Sequence, residues 1–388
     1  MRLTNMIGFV LAGGYGKRLL PLTSITPKPF IQLVGRRLYE YSHDQLRGSG
    51  VNEVVIVVPP NTSNMAREGA PADVVEQRGS DIQGALRTAY EELSKRGDDV
   101  AVVAYTGFIS SPAEMAKLAV DFFESNNFPA VIALASVATG LETYGFVTID
   151  YRGAVQKFMW ESKEAKSWSM GRGYVFGGIM VCDRRSLKEL SERPFAEAMN
   201  SMASQGQLGG VVWPGKWIEI GYPWDLLEAI PMLLPSGATI SEDAQVSSTA
   251  VIGRGVVIDR GAVIEDGAII KGPAYIGRFS KVLSGAVVGG FSSVEQGAYI
   301  GENSVIIGSY IGPGARVGAL AEVRRSVVGE RATVGEGSHL VDYQPTELPE
   351  RLRWLAQYLG EGVTLGAVVG PGYRVPCCTS TGGGTIIA

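Results

Sequence analysis

Histidine and cysteine are scarce in this 388-residue chain: there are two histidines, His43 and His339, and three cysteines, Cys182, Cys377 and Cys378. Three cysteines cannot form a disulfide framework, and the adjacent pair lacks the spacing of a zinc knuckle, so reduced structural thiols are expected. Excess charge is missing too. A net charge of -4 and a pI near 5.5 give no electrostatic basis for a nucleic-acid partner, which needs clustered Lys and Arg. No apolar run approaches the roughly 20 residues of a membrane-spanning helix. Met1 to Val10 runs straight into a strand-like segment, without the apolar core and cleavage site of a signal peptide. The expectation is a cytoplasmic protein whose partners include neither nucleic acid nor membrane.

What is present is an ordinary globular composition, 45% hydrophobic and 19% charged, on a chain too long for one core. At roughly 100 to 200 residues per domain, two domains are expected. The later half carries a repeat. Aliphatic residues recur at Ile240, Val246, Ile252, Ile258, Ile264, Ile270, Ile276, Val282, Val288, Val294, Ile300 and Ile306, each six residues after the last. The register shifts to Ile311, Val317 and Val323, then to Val328 and Val334, and returns at Val363, Val369, Val375, Thr381 and Ile387. Period six fits neither a helix nor a simple amphipathic strand, and predicts a parallel β-helix with aliphatics stacked inside. These repeats resemble the left-handed β-helix of the hexapeptide family, with three hexapeptides per triangular coil. Between them, Leu348, Leu352 and Leu355 are spaced for a short helical excursion near 345–360. Such β-helices associate along flat walls, so a homo-oligomer is expected, a trimer or a dimer of trimers.

Before residue 235 the pattern alternates strand and helix: strands over 7–11, 53–58 and 100–105, helices over 38–48 and 82–95. That order predicts a Rossmann-like α/β domain with a mostly parallel sheet over 1–235, followed by the β-helix over 236–388. The first strand ends in Leu11-Ala12-Gly13-Gly14-Tyr15-Gly16-Lys17-Arg18-Leu19, followed by Pro21-Leu22-Thr23 and Thr26-Pro27-Lys28-Pro29. Glycines there let backbone N–H groups approach phosphate oxygens, and Arg18 and Lys28 can neutralise charge that develops during phosphoryl transfer. The string is neither a Rossmann dinucleotide fingerprint nor a Walker A loop.

This string closely resembles the signature of the sugar-1-phosphate nucleotidylyltransferases. The likeness extends to Gln77 with Gly84-Ala85-Leu86, to Tyr144-Gly145-Phe146-Val147, and to the run from Trp217 to Leu227. It implies attack of a sugar 1-phosphate on the α-phosphorus of a nucleoside triphosphate, with Mg²⁺ as cofactor and pyrophosphate as leaving group. It also implies roles: Leu11, Ala12, Gly13, Gly14, Gly16, Gln77, Gly84 and Gly107 around the nucleotide, Arg18 and Lys28 as catalytic groups, Gly145 and Glu161 at the sugar, and Glu219 at the metal.

The sequence departs from the family pattern where the metal should bind. An aspartate expected after Gly107 is Phe108, and a second, in Trp-x-Asp-x-Gly, is Glu219. Phe176 replaces an asparagine before Gly177-Gly178, Glu161-Ser162-Lys163 replaces Glu-Lys-Pro, Lys17 replaces a small hydroxyl residue, and Asp81-Ile82-Gln83 replaces Gly-Thr-Ala. Mg²⁺ demands near-ideal octahedral oxygen ligation, so these changes matter. Two readings follow: an active nucleotidyltransferase, or a catalytically degenerate paralogue that binds a nucleotide sugar or an active partner. A third is acetyl transfer to an amino sugar through His339, whose surroundings, Gly337 to Tyr343, resemble a His-Leu-x-Tyr stretch of bifunctional relatives.

Overall fold

The computed structural model describes residues 5–67, 73–79, 81–137, 146–159, 173–342 and 364–388. The chain forms two compact units, Met1–Tyr15 with Lys28–Phe30 and Arg37–Glu219, and Gly16–Pro27 with Ile31–Arg36 and Ile220–Ala388. Compactness thus begins the main body of the second unit at Ile220, where sequence composition draws a boundary near 235. The physical reason is that the helix Asp225–Leu233 packs on the strand Ser292–Val294.

In the first unit, strands run in the order Val155–Met159, Phe146–Ile149, Gly173–Asp183, Val100–Tyr105, Met6–Leu11, Glu53–Val58, Asp73–Glu76. Ala130–Val137 pairs with both Gly173–Asp183 and Leu208–Trp213. The strand Met6–Leu11 is an unbroken apolar run because both its faces are covered. Ile7, Phe9 and Leu11 enter one core with Leu86 and Leu93 of the helix Ile82–Arg96. Val10 enters the other with Tyr39 and Leu46 of the helix Leu38–Gly48. All five expected elements are present, within one residue at each end.

Met6–Leu11 lies parallel to Glu53–Val58 on one side and to Val100–Tyr105 on the other. The chain visits the first neighbour before crossing to the second, which creates a topological switch point at the carboxyl end of Met6–Leu11. Ligands of open α/β sheets bind at such points. The ladder continues to that edge: the Ala12 N–H donates to Val57 O at 2.7 Å, and the Thr106 N–H to Leu11 O at 3.2 Å.

The second unit is a left-handed β-helix made of three parallel sheets. Ile258 stacks on Ile276 and that on Val294, Ile264 on Val282 and Ile300, Ile270 on Val288 and Ile306. These side chains form one buried core. The register shifts seen in the sequence are turns shortened by one residue, at the steps Ile306 to Ile311 and Val323 to Val328, so that Val294 pairs with Ile311 and Ile311 with Val328. A column of buried serines serves these turns. Ser292 Oγ accepts the Ser309 N–H at 3.3 Å, Ser309 Oγ accepts the Ser326 N–H at 3.2 Å, and Ser326 Oγ accepts the Ala367 N–H at 3.0 Å. Val369, Val375 and Thr381 rejoin the stack on Val328, Val334 and Leu340. The expected helical excursion and Val363 lie outside the described residues.

Two substitutions test this register by thermal unfolding followed by circular dichroism. Ile300→Ala empties a stacked interior position and is expected to cost about 2–5 kcal/mol. Its outward neighbour Tyr299, whose ring lies 5.2 Å from the Arg316 guanidinium, is expected to cost under about 1 kcal/mol as Tyr299→Ala. Equal costs would contradict the assigned faces. Ser309→Ala strands the buried Ser326 N–H and is expected to cost about 1–3 kcal/mol.

Candidate functional site

Leu11, Ala12, Gly13 and Gly14 leave the switch point of the first unit, and Gln77 crosses directly over them. The Gln77 N–H donates to Val58 O at 2.8 Å, extending the sheet edge. Its side chain lies against Gly13 so closely that a Cβ there would stand 1.8 Å from Oε1. Only glycine fits. The amide Nε2 donates to Gly79 O at 2.9 Å, while Oε1 is buried and has no hydrogen-bond partner among the described residues. A buried acceptor of this kind costs stability until a donor reaches it. Gly84 is required one layer below: a Cβ there would lie 1.9 Å from Arg78 O. The replaced Gly-Thr-Ala stretch has become a helix start, with Asp81 accepting the Gly84 N–H at 2.8 Å and Gln83 Nε2 donating to Leu190 O at 2.7 Å.

Gly107 follows Tyr105-Thr106 with φ of 99°, and turns the chain into Phe108–Ser111, which pairs antiparallel with Lys216–Glu219. Phe108 stands directly opposite Glu219, on the same face of that pair. The Phe108 ring lies on Gly178, where a Cβ would come within 2.3 Å of Cγ. It also meets Trp217 at 5.9 Å, Phe176 at 6.1 Å and Tyr105 at 6.5 Å between ring centroids. Trp217 is fixed in turn by its Nε1–H donating to Gly177 O at 3.0 Å. Phe108 and Phe176, two separate departures in the sequence, therefore form one aromatic cluster. The Tyr105 hydroxyl and Thr106 Oγ1 are buried, without hydrogen-bond partners among the described residues.

This environment does not fit a divalent metal. Glu219 is buried, 7% exposed, but opposite it stands a phenyl ring instead of a second carboxylate. Among the described residues no group of three His, Cys, Asp or Glu side chains is arranged to hold an ion. A hard cation needs several oxygen ligands, and packed aromatic carbon supplies none.

Gly16 and Arg18 belong to the second unit. Gly16 takes φ of 73° and receives the Thr23 Oγ1 hydrogen bond on its carbonyl at 2.8 Å. The Arg18 guanidinium lies 5.3 Å from the Tyr222 ring centroid, a cation–π contact. Tyr222 is held by Asp225, whose Oδ2 accepts the Gly221 and Tyr222 N–H groups at 2.7 and 2.6 Å. A side chain at Gly221 would crowd Arg18 at 3.4 Å. The motif from Trp217 to Leu227 thus serves two purposes, because its first half flanks Phe108 and its second half seats Arg18. Sequence likeness marked the motif but not that division. Lys28 opens the short 3₁₀ turn Lys28–Phe30, which belongs to the first unit. Gly145 and Glu161 lie outside the described residues.

His339 is half exposed, its Nδ1 3.3 Å from Glu322 Oε2. Arg324 and then His339 hold the Glu322 carboxyl below the usual carboxylate range. Among the described residues no helix is long and apolar enough to cross a membrane.

The nucleotidyl transferase family model matches residues 7–235. The chain is 26% identical over 228 residues to a bifunctional sugar-1-phosphate nucleotidylyltransferase/acetyltransferase of Sulfurisphaera tokodaii, covering 58% of this chain and 54% of that one. It is 27% identical over 241 residues to the catalytic subunit beta of mannose-1-phosphate guanylyltransferase of Xenopus tropicalis, covering 60% and 65%. It is also 27% identical over 248 residues to probable mannose-1-phosphate guanylyltransferase 2 of Oryza sativa subsp. japonica, again covering 60% and 65%. These alignments span between about half and two thirds of the curated relatives. With the parallel sheet, the glycine loop at its switch point and Gln77 laid over Gly13, this match shows that the chain belongs to the nucleotidyl transferase family.

Proposed function

We propose that this protein binds a nucleoside triphosphate or a nucleotide sugar and does not complete metal-assisted nucleotidyl transfer. The observation that carries the reading is Phe108, packed on Gly178 and Trp217 at the position where the family pattern expects a metal carboxylate. The relatives' names supply the ligand class, sugar 1-phosphates and the nucleoside triphosphates that react with them. The glycine loop, Arg18 and Lys28 supply phosphate-binding groups independently of any ion, since backbone N–H groups and guanidinium bind phosphate oxygens directly. Gln77 offers an unpaired amide oxygen to a base.

Transfer asks for more than binding. The charge that builds on the α-phosphate and on departing pyrophosphate has to be met by preorganised positive groups, and a metal ordinarily carries much of that load. With that position aromatic, the chain is equipped to hold ligand without turning it over. The protein then serves as a nucleotide-sugar-binding subunit, associating through its β-helix with further copies or with an active paralogue. The active-enzyme reading draws on the relatives, which include enzymes named as catalytic subunits. Acetyl transfer has less support, since His339 lies at the surface, beside Glu322.

A pyrophosphate-release panel separates the readings, using GTP, UTP, dTTP, CTP and ATP with glucose, mannose and N-acetylglucosamine 1-phosphates in Mg²⁺. Wild type is expected to show no release above background. Phe108→Asp, which faces a carboxylate toward Glu219, is expected to show measurable release. Wild-type turnover on any member would sink the binding-only reading. Gln77→Ala is expected to weaken nucleotide binding by roughly tenfold in calorimetry, the value of one base hydrogen bond. Unchanged affinity would remove Gln77 from the site.

A further inference from the structure

The two loop segments that belong to the second unit are tied there by an unusual carboxylate. Val34 and Gly35 both take left-handed backbone angles, φ of 49° and 76°. Positive φ at both residues is the two-residue turn joining the strands Gln32–Leu33 and Arg36–Arg37. The group that receives the N–H groups of this turn is Glu295. Its Oε1 accepts the Val34 N–H at 2.8 Å and its Oε2 accepts the Gly35 N–H at 2.9 Å. The Ser293 hydroxyl donates to Oε1 as well. Glu295 follows the stacked Val294 in the β-helix wall, a position that Asp259 and Glu265 hold after Ile258 and Ile264, but it is completely buried, where the Val34–Gly35 turn meets it.

Neighbouring coils complete the seat. From the coil before, the Tyr275 hydroxyl reaches the spot where Gly35 would carry a Cβ, at 2.0 Å, so no side chain is tolerated there. That hydroxyl donates to Asp259, which Arg278 also holds. From the coil after, Tyr310 donates its hydroxyl to Gln32 O at 2.7 Å. One coil further, Glu330 accepts the Thr26 hydroxyl at 2.9 Å. The segment Gly16–Pro27, which carries Arg18, is thereby fastened to the same wall.

We propose that Glu295 is a positioning residue for the phosphate loop: by gripping the Val34–Gly35 turn it fixes the segments on either side of Lys28 to the β-helix and so sets how well Arg18 holds a polyphosphate. The proposal rests on the nucleotide-binding reading for its effect on affinity, but the grip itself is independent of it. The β-helix then has a role in ligand binding beyond association. Burial pushes the Glu295 carboxyl up to about 7 against the pull of its three donors. Since the docked form binds its proton more tightly than an ordinary carboxyl would, acid favours docking. The grip is strongest below the ordinary carboxylate range and loosens as the pH rises through about 7. Tyr275 and Tyr310, whose own ionisation burial pushes upward, remain neutral throughout; the other ionisable groups facing the seat are Asp259, Arg278 and Glu330.

Amide hydrogen exchange on the full chain, corrected for intrinsic rates, tests the grip, and calorimetry with inorganic tripolyphosphate and GTP tests its consequence. Glu295→Ala is expected to raise exchange at Val34, Gly35 and across 16–27 by roughly tenfold or more, the loss of two backbone hydrogen bonds. Amides of the stacked residues Ile300 and Val317 should not change. Tripolyphosphate affinity should fall by a similar factor. Glu295→Gln and Tyr310→Phe, which keep side-chain volume, should give smaller shifts in the same direction. Between pH 6 and 8, wild type should lose protection in these segments, and Glu295→Gln should not. Unchanged exchange in Glu295→Ala, or exposure of Val34 and Gly35 without any effect on 16–27, would overturn the proposal. If wild type binds neither probe, the nucleotide-binding reading fails, and the claim on affinity falls with it, while exchange still decides whether Glu295 holds the loop.

Discussion

The proposed binding role depends on the packing of one phenyl ring. Phe108 sits where a strand edge, a left-handed glycine turn and a tryptophan converge, and its ring fills the space above Gly178 that any side chain there would need. Tyr105 and Phe176 close around it. Aromatic clusters of this sort gain buried area together with favourable edge-to-face contacts. They exclude the hydrated, oxygen-rich surroundings that a hard cation requires. Under the proposed binding role, the residue that strengthens the packing also stands in place of a metal carboxylate of the family pattern.

Around that cluster the phosphate loop is kept. Gly84 is demanded by the Arg78 carbonyl, and Gly13 leaves the room that the Gln77 amide occupies, so these glycines have steric reasons that hold whether or not a nucleotide is bound. Their retention alone says little about catalysis. Arg18 is more telling, since the Tyr222 ring lies 5.3 Å from its guanidinium and Asp225 holds the Tyr222 backbone in place.

Much of this was legible in the residues. The β-helix could be read because its period is its geometry: each sixth residue points inward, and the shifts at Ile311 and Val328 mark turns shortened by one residue. The strands over 53–58 and 100–105 could be read because both of their faces are buried and a continuous apolar run leaves little ambiguity. The missing metal ligand was visible as Phe108 itself. What the sequence could not disclose was how Phe108 and Phe176 meet, because their contact depends on sheet register between distant strands. Nor could it show that Gly16–Pro27 and Ile31–Arg36 belong with the β-helix. That attachment rests on a left-handed valine, Val34, which carries no compositional signal, and on a glutamate inside an aliphatic repeat, which reads as an ordinary exposed position until its burial is seen. The serine column at Ser292, Ser309 and Ser326 was equally silent, since small residues are common at such turns for other reasons.

The central claim is that ligand binding here is uncoupled from metal. Its most direct test is calorimetric titration of the wild-type chain with GTP and with GDP-mannose, each in excess Mg²⁺ and again in excess EDTA. The account predicts binding of at least one of them with the same affinity, within about threefold, in both conditions, as expected when backbone N–H groups, Arg18 and Lys28 carry the phosphates. Binding that appears only with Mg²⁺ would contradict it.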